Sequence, residues 1–484
     1  MSEISKVIQV AAMSQQDLSQ QRFEQDAQVQ QFGTKRDTSS QWLISYDPAN
    51  NSEVGRVEIT QPDELEGRIH KAKQASKAWA QLTLKEREAY LKKGYDALVP
   101  LQSKLAELIS REMGKDARRA GYEASGTVHS GEFLAQEVAQ ALQPQGINRK
   151  TQLQYRPLGV VAVISPWNYP LAMANNLLVP ALMAGNSVIL KPSEQTPLVA
   201  DLFIRTLSQQ LPDGVLQIAH GDGRVGAALV EGDINMVAFT GSLATGKKIM
   251  ASAASGMKRL VMELGGNDPM IVLASADIQR AARFAVASSF ENAGQMCTST
   301  ERVYVDERIA DQFEQAVVQI AQGYRIGSWD EDNVNIGPMA NTDQHDIVRR
   351  HIQDALEKGA SLKLGDADPK PPFIKPTVIT GMRPDMLLER EETFGPVVAI
   401  DRFSSLDEVI ERANDSVYGL GATVFGGAGV QAVAERLQAG MIGINQGVGG
   451  GGDAPWVGAK QSGLGFHGSE AGHRQFAQTT VVSL

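Results

Sequence analysis

Cysteine is nearly missing. Cys297 is the only one in 484 residues, which excludes an intrachain disulfide framework and any cysteine-rich zinc site and fits a reducing cytosol. Histidine is scarce too: seven are present, with no HExxH and no paired spacing, so no metal centre is expected. No stretch reaches the roughly 18–20 uninterrupted apolar residues of a membrane span. The apolar patch Val7, Ile8, Val10, Ala11 and Ala12 is broken by Gln9 and lacks a strong basic region and a cleavage site. It is not read as a signal peptide, and a cytoplasmic location is expected. Positive charge is in deficit: a net charge of −10 argues against nucleic acid as the main partner.

What is present is the composition of an ordinary globular protein, 42% hydrophobic and 21% charged. At 484 residues the chain exceeds what one core organises, so two or three domains are expected. Residues 1–40 read as a polar arm rich in Gln, Ser and Asp. Order begins at Trp42 to Tyr46. From Pro62 to Leu142 apolar residues recur at spacings of three and four, a run of scaffold helices with no catalytic constellation. From Gly159 apolar strands alternate with helices, ending at Glu263, which predicts a parallel sheet covered on both faces. A second alternation from Asp268 to Asn445 predicts a second α/β domain, with the boundary near Gly265-Gly266. The glycine cluster Gly447 to Gly452 reads as a mobile loop or a backbone path close to a ligand. The final segment, Gln475 to Leu484, is β-prone and needs a sheet edge to pair with.

Ligands of parallel sheets sit beyond the carboxyl ends of the strands, so the residues just after them carry the interest. Asn168, between strand and helix, is an N–H donor suited to an oxyanion, or a helix N-cap. Glu263 ends an apolar strand and is a candidate general base, or a salt-bridged structural acid. Lys191 and Glu194 could hold ribose hydroxyls, or form a solvated turn. The turn Thr240 to Gly246 leaves a strand and opens a helix, so its amides and Ser242 could meet a pyrophosphate. Gly221 to Gly226 matches a dinucleotide fingerprint by letter, but it is not the first strand-to-helix turn and no acid occurs about 20 positions on. It reads as a glycine turn with a packing role. Glu392 and Phe394 stand side by side before a strand. Cys297, flanked by Gly294, Thr298 and Ser299, is an approachable thiol or a small buried apolar group.

Six segments in order, SPWNYP, KPSEQTP, FTGSLATG, MELGGNDP, GQMCTS and EETFGPVV, resemble the NAD(P)-dependent aldehyde dehydrogenase family from about Trp42 to the C-terminus. The resemblance implies an α/β aldehyde dehydrogenase-like fold. A parallel Rossmann-like cofactor domain (41–141 and 159–265) would join a second α/β catalytic domain (266–455) and a small β oligomerisation arm (142–158 and 471–484). It implies Cys297 as nucleophile, Asn168 with the Cys297 backbone N–H as oxyanion donors, and Glu263 as the base that activates water. Cofactor contacts would come from Lys191 and Glu194 on the adenosine ribose, and from Gly241, Ser242 and Gly246 along the pyrophosphate. Glu392 would hold the nicotinamide ribose, with Phe394 against the ring. The final strand would pair with a neighbouring subunit of a homodimer or homotetramer. Glu194 favours NAD, with NADP also admitted.

The segment that is often PFGGxKxSGxGRE in this family here places Trp456, Val457, Phe466 and His467 where Phe, Gly, Arg and Glu would stand. Trp456, Tyr169 and Met173 then predict an apolar or aromatic-lined pocket, or plain core packing. Family members taking succinate semialdehyde tend to carry arginines where this chain has Glu291 and Asn176, which weighs against that substrate. The expected activity is oxidation of an apolar or aromatic aldehyde to its acid. A CoA-acylating or succinate-semialdehyde enzyme is the alternative, and a non-catalytic binding protein is disfavoured by the presence of Cys297, Asn168 and Glu263 together.

Overall fold

Strands with every residue buried, such as Val160–Ile164 and Ser187–Lys191, need cover on both faces, and helices supply it. The structure, a computed structural model, describes residues 35–36, 41–449 and 451–484. Most of the polar arm expected over residues 1–40 therefore lies outside the described residues.

A first, six-stranded sheet runs in the order Gly463–Leu464, Arg259–Glu263, Met236–Thr240, Val160–Ile164, Ser187–Lys191, Leu216–Ile218. All its pairings are parallel except that of the short edge strand Gly463–Leu464. A second, seven-stranded sheet begins at Asp268–Val272, just beyond Gly265-Gly266. Within it Asp268–Val272 lies between Thr300–Asp306, the central strand, and Gly421–Phe425, all parallel. The edge pair Ser361–Leu364 and Thr377–Thr380 is antiparallel and, being short and partly polar, has no clear signature in the sequence.

The scaffold helices Pro62–Trp79, Leu84–Leu98, Gln102–Met113 and Ala117–Ala141 lie where the periodicity puts them. Trp79 is fully buried, and its indole N–H donates to the Leu182 carbonyl at 2.9 Å, tying this layer to the helix Pro170–Met183 under the first sheet. A capping box at Thr83 and Glu86 starts one helix, and Gly114, at φ 84°, ends another. No helix among the described residues is long and apolar enough to cross a membrane.

The closing strand Ala477–Ser483 pairs antiparallel with Thr151–Pro157 of its own chain, from Ala477 opposite Pro157 to Ser483 opposite Thr151. Gln145–Asn148 completes this three-stranded sheet. The hairpin offers an open edge beside the chain end, so one side of the tail finds its partner within the chain, and the tail itself becomes the edge of the sheet.

Candidate active site

Asn168 lies in the turn between the strand Val160–Ile164 and the helix Pro170–Met183. The N-cap of that helix is Tyr169, so the capping reading of Asn168 does not hold. Instead the Asn168 carbonyl accepts from the buried Lys115 ammonium at 2.8 Å and from Asn292 Nδ2 at 3.2 Å. Its Nδ2 donates to the Gln295 carbonyl at 3.1 Å, leaving the second N–H of the amide for another acceptor. Lys115 also pairs with buried Glu123 and lies 3.6 Å from the centre of the Tyr169 ring. Glu123 in turn accepts from the backbone N–H of Leu171 at 3.0 Å and of Ala172 at 3.3 Å, at the start of the helix. The segment read as pure scaffold thus contributes a buried ion pair to the site. Nothing in its helical spacing distinguishes Lys115 from a surface lysine.

The cysteine loop leaves the helix Ile278–Phe290 through three successive left-handed residues, Asn292 (φ 54°), Ala293 (φ 58°) and Gly294 (φ 75°). Each non-glycine among them costs about 1–2 kcal/mol of backbone strain. A Cβ on Gly294 would lie 2.0 Å from the Gly395 carbonyl oxygen, so only glycine fits. Gln295 stitches the loop, donating to the Asn292 carbonyl at 3.0 Å and accepting from Ala340 N–H at 3.0 Å. These bonds hold the loop in its turn and present half-buried Cys297 at its far side.

Glu263, at the end of Arg259–Glu263, meets Cys297 in one cavity of about 440 Å³ that also holds Asn168, Tyr169, Met173 and Trp456. Burial raises the Glu263 carboxyl to about 7, while the Cys297 thiol, the Trp456 N–H and the Thr240 hydroxyl oppose the rise. Burial pushes the Cys297 thiol well up, and the neighbouring negative charge of Glu263 adds to this. The thiol is therefore protonated at rest, and it lies against a carboxyl whose ionised form accepts its proton. The Trp456 indole N–H donates to Glu263 Oε1 at 3.3 Å.

A second cavity, of about 650 Å³, shares Trp167, Thr240, Gly241 and Ser242 with the first, so the two form one cleft. Lys191 and Glu194 line it, with Lys191 Nζ donating to Glu194 at 3.1 Å. Ser242 caps the helix Leu243–Ala254, accepting from Thr245 N–H at 3.3 Å. Gly246 does not itself line this cavity. A Cβ there would lie 2.7 Å from Leu264 and 2.9 Å from Met262, so this glycine lets the helix approach the sheet. Gly223 and Gly226, read as a packing turn, do line the cleft, and a Cβ on Gly223 would meet nothing within 4 Å.

Glu392 and Phe394 complete the wall around Cys297. Phe394 is held at φ 53° and meets Trp167 edge to face at 5.5 Å. Two residues that no sequence motif contains fix this turn. Buried Glu301 accepts from the Thr393 and Phe394 N–H groups at 2.6 and 2.8 Å. Gln344 donates to the carbonyls of the same two residues at 3.0 and 3.1 Å. Glu301 looks in sequence like any acid at the start of a strand.

A sequence profile of the aldehyde dehydrogenase family matches residues 35–482. The chain belongs to the aldehyde dehydrogenase family. The mitochondrial succinate-semialdehyde dehydrogenase of Arabidopsis thaliana is 35% identical over 463 residues, covering 92% of this chain and 88% of the relative. The 3-sulfolactaldehyde dehydrogenase of Pseudomonas putida is 34% identical, with 96% and 97% covered. A crystal structure of succinate-semialdehyde dehydrogenase from Burkholderia pseudomallei superposes with a TM-score of 0.87 at 34% identity, covering 94% of this chain and 98% of that one. This aldehyde dehydrogenase is thus an NAD(P)-dependent oxidoreductase with the α/β fold of its family. Both cofactors occur among its relatives: NADP in the name of an Escherichia coli succinate-semialdehyde dehydrogenase, and NAD in that of a Sinorhizobium meliloti aldehyde dehydrogenase structure.

Proposed function

We propose that the cleft oxidises an aldehyde to its carboxylic acid by covalent catalysis at Cys297. The observation that carries this reading is one cavity holding the thiol of Cys297, the carboxylate of Glu263 and the side-chain amide of Asn168. The sulfur attacks the carbonyl carbon, its proton leaves through Glu263 to solvent so that the carboxylate is restored, and an S–C bond forms as the carbonyl oxygen becomes anionic. The free N–H of Asn168 and the Cys297 backbone N–H hold that oxygen. Nicotinamide, when bound, supplies the oxidation by accepting the hydride released from this carbon. The thioester left on Cys297 is attacked by water, whose proton Glu263 takes. The C–S bond breaks, the thiolate leaves and the acid is released.

The residues present fit a nicotinamide dinucleotide. Lys191 and Glu194 present a donor and an acceptor for ribose hydroxyls, and the open wall at Gly223 leaves room for an adenosine. Gly241 and the helix start at Ser242 suit a pyrophosphate, and Glu392 and Phe394 flank the nicotinamide end beside Cys297. The first sheet, with residues 41–141 and 159–265, is accordingly assigned to the cofactor. Residues 266–455 are assigned to catalysis, and 142–158 with 471–484 to assembly as a homodimer or homotetramer. The single thiol suits a cytoplasmic setting.

The substrate reading favours an apolar or aromatic aldehyde. Tyr169, Met173, Met296, Ile347 and Trp456 line the cavity around Cys297, and among the described residues no Lys or Arg does. Glu291 accepts from the Tyr169 hydroxyl at 3.1 Å, setting an acid beside this wall. A carboxylate substrate would enter without a counter-charge. The relatives named for succinate semialdehyde support the second reading, that this anion is accepted. Steady-state rates on hexanal, benzaldehyde and succinate semialdehyde decide between them: a higher kcat/KM for succinate semialdehyde would reverse the preference. Products formed with and without CoA test hydrolysis against acyl transfer, and the presence of Glu263 predicts the free acid in both.

A further inference from the structure

We propose that Trp456 is a positioning residue for Glu263: its indole N–H pins one carboxylate oxygen so that the other faces the attacking water. The proposal rests on Glu263 being the base of the reaction proposed for the cleft.

The family resemblance places a phenylalanine at this position, and a phenyl ring has no N–H to give. Here Nε1 donates to Glu263 Oε1 at 3.3 Å. Oε2 is buried and meets no donor at bonding geometry, with the Cys297 thiol and the Thr240 hydroxyl close to the carboxyl. The carboxylate is thus asymmetric, with one oxygen occupied and one open. That suits a base: the water oxygen bonds to the acyl carbon, its proton goes to Oε2, and the C–S bond breaks with its electron pair returning to Cys297. Without the pin, the carboxylate can rotate and offer either oxygen in either direction, and part of its time is spent out of line with the water.

The ring is itself held on two sides. The two-residue strand Trp456–Val457 pairs antiparallel with Phe466–His467, with Trp456 opposite His467. Gly449, at φ 102°, lies against the indole, and a Cβ there would come within 3.1 Å of it. The glycine loop therefore gives the larger ring its seat. The same N–H favours the charged carboxylate and opposes the burial that lifts it.

Trp456→Phe keeps a ring and removes the donor. The expected result is an aldehyde KM within about threefold of the parent, a kcat lowered about tenfold at pH 7, and an acid limb of the kcat profile displaced upward by about one pH unit. An unmoved acid limb with kcat within twofold overturns the proposal, as does a change confined to KM, which would make the ring a substrate contact only. If Trp456→Phe does not fold, benzothienylalanine at position 456 retains the bicyclic shape without the N–H and gives the same reading. Glu263→Gln separates the two claims. Full turnover in that variant removes the reading of Glu263 as base. Loss of turnover there, with an unmoved limb in Trp456→Phe, removes only the role of Trp456.

Discussion

Replacing Glu301 with Gln should loosen the turn that carries Phe394. The carboxylate accepts two backbone N–H groups, at 2.6 and 2.8 Å, inside a fully buried setting. Hydrogen bonds to a charged acceptor contribute about 1.5–3 kcal/mol each. They act against about 1–2 kcal/mol of strain in the left-handed Phe394. Glutamine keeps one carbonyl oxygen but turns an NH₂ toward the other N–H, so one bond is lost and two donors face each other. The Gln344 amide still holds the carbonyls of the turn from the opposite side. A net loss of about 2 kcal/mol would then raise the cofactor Kd about 30-fold. Quenching of intrinsic fluorescence on titration with NADH measures this, with thermal unfolding of the apoprotein as the control for the fold. The effect should also emerge in the parent enzyme as the pH falls below about 7, where burial has already raised the Glu301 carboxyl and protonation costs it an acceptor. A Kd within twofold of the parent, in a folded Glu301→Gln protein, would refute the reasoning.

Glu194→Ser should raise kcat/KM for NADP relative to NAD by about tenfold or more, because the carboxylate repels a 2′-phosphate; initial rates with each cofactor measure the ratio. Gly294→Ala should abolish turnover and lower the temperature of thermal inactivation, since the new Cβ would lie 2.0 Å from the Gly395 carbonyl oxygen; an active, stable variant would contradict the loop geometry. Burial depresses His467 and His473 to about 4. Their neutral forms are favoured in the fold, so the stability they contribute is complete above the unfolded value near 6.5 and is lost as pH falls from there toward 4. For His467 that loss is on the order of 3 kcal/mol, and denaturant midpoints across this window should fall less steeply in His467→Gln.

The parts of the site that are short, local and placed at strand ends are legible in the sequence. Asn168, Glu263, Lys191 and Glu194 are expected from the rule that parallel sheets present function at their carboxyl edges, and Cys297 from being the one thiol, set in a matching motif; the cavities they line join in one cleft. The buried supports are not legible. Lys115 beneath Asn168 and Glu301 beneath Phe394 join residues distant in the chain, and in sequence a buried charge looks like an exposed one; Trp456 is expected at the pocket, but its bond to Glu263 is not. The glycines mislead for a related reason. Gly246 faces Leu264 and Met262 while Gly223 faces open space, a difference set by which side of the helix turns to the sheet. Strands such as Gly463–Leu464 are too short for any period to register.

The central claim is that Cys297 carries the acyl group and that Glu263 permits its release. Glu263→Gln, mixed rapidly with NAD and hexanal, quenched in acid and digested, should yield a Cys297 peptide heavier by one hexanoyl group, formed more slowly than in the parent because the thiol proton must reach solvent without Glu263, while the parent enzyme in steady state shows little. A Glu263→Gln protein that turns over at the parent rate with Cys297 unmodified would contradict the account.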